Sequence, residues 1–123
     1  MKKNKEILDE FGKIFTNEVF DDNLKYSKQI LNGTTKWGQG SEYIKAFQSL
    51  DKENKEVVEK FFIEYLKTNL FSFLSIFESH EEFKLYYEKG TQKVNLVEIS
   101  EMLKAEPIIE NGWIERFSKE LKK

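Results

Sequence analysis

The chain of 123 residues has no cysteine, one histidine, one proline and no excess of basic residues. Without cysteine, a disulfide scaffold and a cysteine-ligated zinc site are excluded. Its 20 basic and 22 acidic residues give a net charge of −2. Because binding to phosphate backbones requires a basic face, we expect no nucleic acid among the partners.

Long apolar runs are also missing. The most apolar stretch, Leu70 to Phe77, contains two serines and is too short to span a bilayer. The basic start at Met1–Lys5 resembles that of a signal peptide, but Glu6 and Asp9 interrupt the apolar segment that should follow. We therefore expect one cytoplasmic domain over residues 1–123 with no membrane contact. Its many lysines, asparagines and isoleucines are typical of AT-rich bacterial genomes.

A ladder of apolar residues between Val57 and Phe77 is the strongest positive signal. Its steps alternate between one and three residues, with a single step of four from Leu66 to Leu70, which is the pattern of one face of an α-helix. The sequence predicts a helix from Lys52 to about Ser79, capped by Asp51, with the ladder at the centre of the core. The ladder consists of Val57, Val58, Phe61, Phe62, Tyr65, Leu66, Leu70, Phe73, Leu74 and Phe77.

Weaker patterns predict the helices before the ladder. One should run from Lys3 to Asn17, although Gly12 weakens it by up to about 1 kcal/mol relative to alanine. A second should be capped by Asp21 or Asp22 and end near residue 32, with Gly33 in the left-handed conformation. A short third helix should cover residues 41–50.

After the ladder the periodicity changes to alternation. Apolar and polar residues alternate on both sides of a glycine-containing turn, which predicts a β-hairpin over residues 83–97. A last helix should begin near Gly112 and carry apolar residues as far as Leu121. Together these elements predict an α+β fold, mainly α, with five or six helices around the central amphipathic helix and a single hairpin.

Residues with catalytic or metal-binding chemistry are sparse. His80 lies between Glu78 and Glu81, but one imidazole with flexible carboxylates is a poor metal site. No Gly-x-Ser-x-Gly segment occurs, and acidic pairs such as Asp21-Asp22 are predicted at helix caps rather than in a buried site. We expect no metal and no cofactor, and we favour a non-enzymatic chain.

The C-terminal segment Gly112-Trp-Ile-Glu-Arg-Phe-Ser118 follows the long helix and the hairpin. In this arrangement, the chain from Asp51 to Ser118 resembles small bacterial domains of unknown function. The resemblance implies helices packed around a small hairpin and implies no catalytic residues. By helical spacing, Trp113 and Phe117 form an aromatic pair on the buried face, and Arg116 points away from it.

These observations favour a non-enzymatic protein-binding module of a bacterial cell, in one version an immunity- or antitoxin-like protein that masks a toxin. Residues 51–82 hold eight acidic and four basic groups, which indicates either a solvated helix face or a docking surface for a basic partner. Trp37, in the glycine-rich loop 33–40, either anchors a partner or closes the core. The alternative is a small-ligand-binding or enzymatic domain with an unrecognised pocket. The candidate protein-contact residues are Trp37, Glu53, Glu56, Glu59 and Glu64.

Overall fold

The computed structural model describes residues 1–34 and 41–123, and the predicted α+β class, mainly α, is confirmed. Two short 3₁₀ turns, named here by their residue numbers, cover 103–105 and 120–122. The antiparallel strands are β1 (Tyr86–Lys89) and β2 (Gln92–Asn95). The α-helical segments of the described residues are α1 (Asn4–Phe15), α2 (Asp22–Asn32), α3 (Ser41–Gln48), α4 (Lys52–Ser79), α5 (Leu96–Ile99) and α6 (Trp113–Phe117).

A π-helical segment, Thr16–Asp21, joins α1 and α2 into one continuous helix. The prediction of a separate second helix capped by Asp21 or Asp22 is therefore wrong, since both residues have helical backbone angles. Phe15 and Phe20 are five positions apart in the sequence, and a regular α-helix would place them on different faces. The wider π turn brings both into the core. The predicted left-handed end of α2 is confirmed at Gly33, with φ of 69°.

The core centres on the fully buried indole of Trp113. Its ring meets Phe11 and Phe15 edge-on, at centroid distances of 5.7 and 6.2 Å. It also lies directly against the backbone of Gly12, where an added Cβ would be 2.5 Å from Nε1 of the indole. Gly12 therefore allows α1 and α6 to approach closely, and its weak helix propensity is secondary.

Helix α4 has the predicted bounds, and Asp51 caps it by accepting a hydrogen bond of 2.8 Å from the Asn54 N–H. Of the apolar ladder, only Leu70 and Leu74 are buried. The prediction that the whole ladder lies in the core is wrong, because α4 packs along one side only, against α2, the π segment and the 103–105 turn. Four of its members are at least half exposed: Val57, Phe61, Tyr65 and Phe73.

The hairpin is shorter than the predicted range 83–97. Its strands continue into the predicted turn and leave a two-residue loop at Gly90-Thr91, where Gly90 has φ of 60°. After Asn95 the chain turns into α5, because the Asn95 side chain accepts a hydrogen bond of 3.1 Å from the Val97 N–H. This cap explains why alternation stops at Leu96. The last predicted helix is likewise divided, and Leu121 lies in the separate 120–122 turn.

The two sides of α4 should respond differently to truncation. Leu74 is 0% exposed and Phe61 is 61% exposed. We expect Leu74→Ala to lower the free energy of unfolding by about 2–5 kcal/mol and Phe61→Ala to change it by less than about 0.5 kcal/mol. Chemical denaturation in dilute protein measures both. Similar losses at the two positions would show that both faces of α4 are packed.

Gly12→Ala should destabilise the fold although alanine is the better helix former. Helix propensity alone would raise stability by about 1 kcal/mol, but the new methyl group would overlap the Trp113 ring. Overpacking of this kind typically costs about 1–3 kcal/mol. Thermal or chemical unfolding is the measurement, and Lys13→Ala, at the exposed neighbouring position, is the matched control. A stabilised Gly12→Ala variant would contradict the close packing.

Candidate functional site

A line of exposed apolar side chains runs along α4 on the side away from the core. We call Val57, Phe61 and Tyr65 the outer face of α4; they are 59%, 61% and 56% exposed. The rings of Phe61 and Tyr65 stack at 5.7 Å. Phe61 and the buried Leu70 are nine residues apart, about two and a half helical turns, so they point in opposite directions. The outer face is therefore separate from the core.

The elements beside α4 cover its flanks and leave the outer face uncovered within the described residues. Phe47 of α3 contacts Phe62 edge-on at 6.1 Å, so α3 covers one flank. On the other flank, Ile108 and Phe71 line a surface groove of about 440 Å³ that also touches Glu64 and Thr68. The outer face lies between these flanks and is the largest line of exposed apolar residues on α4.

The acidic candidates on α4 do not behave as one group. Glu53, Glu56 and Glu64 are exposed. Glu59 is half-buried, and its Oε1 lies 3.4 Å from Nζ of Lys28. The same Nζ is 3.9 Å from Oε2 of the buried Glu120, so Lys28 links α2, α4 and the 120–122 turn. Glu59 therefore links separate elements, whereas Glu53 and Glu56 face solvent and the exposed Glu64 is paired only within α4, where its Oε1 lies 3.7 Å from Nζ of Lys67. Trp37 lies outside the described residues.

Asp21 accepts more hydrogen bonds than any other buried carboxylate of the described residues. It is 5% exposed, and its Oδ1 accepts a hydrogen bond of 2.6 Å from the Ser118 hydroxyl. Its Oδ2 accepts one of 2.8 Å from the Lys119 N–H, and the Glu120 N–H lies 3.4 Å from Oδ1. Asp21 thus holds the start of the 120–122 turn from 97 residues away in sequence. With its oxygens occupied by these donors, this carboxylate has a structural role.

The carboxylates near His80 that the sequence offers as metal ligands are not brought together with it. His80 is exposed at the end of α4, and its backbone N–H donates a hydrogen bond of 3.0 Å to the Ile76 carbonyl. Glu78 is turned to the 103–105 turn, where its Oε1 accepts a hydrogen bond of 2.7 Å from the Lys104 N–H. In residues 1–34 and 41–123, no three histidine or acidic side chains are grouped to hold a metal ion.

An apolar groove of about 180 Å³ lies between α1 and β1. It is smaller than the roughly 300–1,000 Å³ of a typical small-molecule site. The titratable side chains that line it are Glu10, Tyr86 and Tyr87. The Glu10 carboxylate forms an ion pair with Lys2. The groove has room for one side chain and lacks a cluster of reactive groups.

No family model, curated protein or solved structure matches this chain. In the part of the chain that the structure describes, no helix combines the length and apolar character needed to cross a membrane.

The sequence did not reveal that Asp21 accepts hydrogen bonds from residues 118–120. Aspartate is also a common residue at helix caps, so its residue type alone did not distinguish a cap from an acceptor for a distant segment.

We expect Asp21→Asn to lower the free energy of unfolding by about 1–3 kcal/mol, since the amide nitrogen would face a backbone donor. Asp22→Asn, at the exposed neighbour, is the control and should stay within about 0.5 kcal/mol. Equal effects in chemical denaturation would remove Asp21 from this role.

Proposed function

We propose that this chain is a non-enzymatic protein-binding module and that the outer face of α4 is its contact surface. The observation that carries the proposal is the line formed by Val57, Phe61 and Tyr65, each more than half exposed. Burying apolar surface gains roughly 25 cal/mol per Å², so a continuous apolar line gains free energy when a partner covers it. Contiguous exposed apolar patches commonly mark such interfaces.

The outer face fits a helical partner, because a line with four-residue spacing packs into the grooves of another helix. Within this proposal the protein works in a bacterial cytoplasm. An immunity- or antitoxin-like role is the version in which the partner is a toxin. The exposed Glu53 and Glu64, four and three residues from Val57 and Phe61, would then lie beside the contact and favour association with a basic partner, whereas Glu56 lies further round the helix.

The alternative, a small-ligand-binding or enzymatic domain, has less support. The apolar groove between α1 and β1 is small, at about 180 Å³. The best-connected carboxylates, Asp21 and Glu78, accept hydrogen bonds from the backbone. The groove of about 440 Å³ beside α4 has the volume of a small-molecule site, but it is an open surface groove lined by Glu64, Lys67, Thr68, Phe71 and Ile108. It therefore does not favour this alternative over the contact surface.

Photo-crosslinking tests the contact surface directly. A photoreactive phenylalanine analogue at position 61 should form a covalent adduct with a protein in cells of the source organism. The same analogue at position 86 is the control, because Tyr86 is also an exposed aromatic residue, 42% exposed, but lies on the hairpin. We expect an adduct at position 61 and none at position 86. No adduct at position 61, or equal yields at both, would refute the outer face as the contact surface.

A further inference from the structure

We infer that the partner that covers the outer face of α4 is a second copy of this chain, packed antiparallel about a two-fold axis near residue 62. This inference rests on the proposed function, because it uses the same surface, and the second copy takes the place of the basic or toxin partner considered there. Two-fold symmetric pairs are the commonest oligomers, and they need a surface that is complementary to itself. Both the charges and the apolar residues of α4 meet that requirement.

The charges beside the outer face are self-complementary. Lys60 and Glu64 are four residues apart, so they lie on the same flank of the helix, and both are exposed. In an antiparallel helix pair, each flank meets the same flank of the other helix. An axis near residue 62 therefore places Lys60 of each copy opposite Glu64 of the other, which forms two reciprocal ion pairs. A parallel pair would instead place this flank against the uncharged Val58 and Asn69.

The same axis aligns the apolar residues. Phe61 lies one residue from the axis, so the two Phe61 side chains meet at the centre of the contact. Tyr65 of each copy then falls between Phe61 and Val57 of the other, as a side chain packs between two others in a coiled coil. The three residues, each more than half exposed in the single chain, become covered together.

The length and composition of the remaining contact also fit. With the axis at residue 62, residues 52–72 of each helix overlap, a contact roughly 30 Å long. At the far end the helix presents Thr68 and Ser72, small side chains that allow close approach. The Thr68 hydroxyl already donates to the Glu64 carbonyl at 3.0 Å, so covering it leaves no unsatisfied donor. The net charge of −2 per chain produces little repulsion between copies.

Charge exchange at Lys60 and Glu64 tests the arrangement with the full chain. We expect sedimentation equilibrium to show a dimer of the unmodified protein. Lys60→Glu and Glu64→Lys should each raise its dissociation constant about tenfold, because each turns two attractions into two repulsions. The double variant Lys60→Glu/Glu64→Lys should restore the original value. A mixture of the two single variants should form a heterodimer that is tighter than either homodimer.

Several outcomes would overturn the inference. These are a protein that stays monomeric at about 100 µM, which excludes a dissociation constant below roughly that concentration, single variants that associate like the original, or a double variant that does not recover. Far-ultraviolet circular dichroism of each variant shows whether it is folded, and the double variant controls for local effects on the helix. A monomer whose position 61 crosslinks to a different protein would refute the dimer and leave the proposed function standing. A monomer with no adduct at that position would refute both.

Discussion

The fold depends on the contact between the Trp113 indole and the bare backbone at Gly12. Because no side chain intervenes, α6 lies directly on α1, with Phe11 and Phe15 meeting the ring at its edges. The position of α6 sets where the following chain runs. That chain reaches Ser118 next to the π segment, where the buried Asp21 accepts a hydrogen bond from the Ser118 hydroxyl. The close approach of two helices thus places the whole C-terminal end.

Two carboxylates then stabilise backbone that has little regular structure of its own. After the hairpin, the chain contains only single turns of helix and short 3₁₀ turns, which leave backbone N–H groups without internal partners. Asp21 accepts the Lys119 N–H and Glu78 accepts the Lys104 N–H. Buried backbone N–H groups must be paired. Side chains of the long helices therefore provide the hydrogen-bond acceptors that the short turns lack. These two carboxylates therefore serve the fold.

The features that could be predicted from sequence are those set by neighbouring residues. The bounds of α4, its Asp51 cap and the left-handed Gly33 follow from local pattern and backbone preference. The π segment and the role of Asp21 could not be predicted, because they depend on contacts with residues about a hundred positions away. The candidate site was only partly predictable. The apolar pattern of α4 identified the side chains, but which of its sides meets the core depends on where α2 and the 103–105 turn pack.

Helix α4 carries its fully buried residues and its outer face at different points along its length. Its buried residues, Leu70 and Leu74, lie in the second half, and the outer face from Val57 to Tyr65 lies in the first. The first half is held in place by its flank, where Glu59 meets Lys28 and Phe62 meets Phe47. A helix anchored at one end and along one flank can present the rest of its apolar residues without exposing the core. If the outer face binds a partner as proposed, stability and association depend on different residues of the same helix, and each can change with little effect on the other.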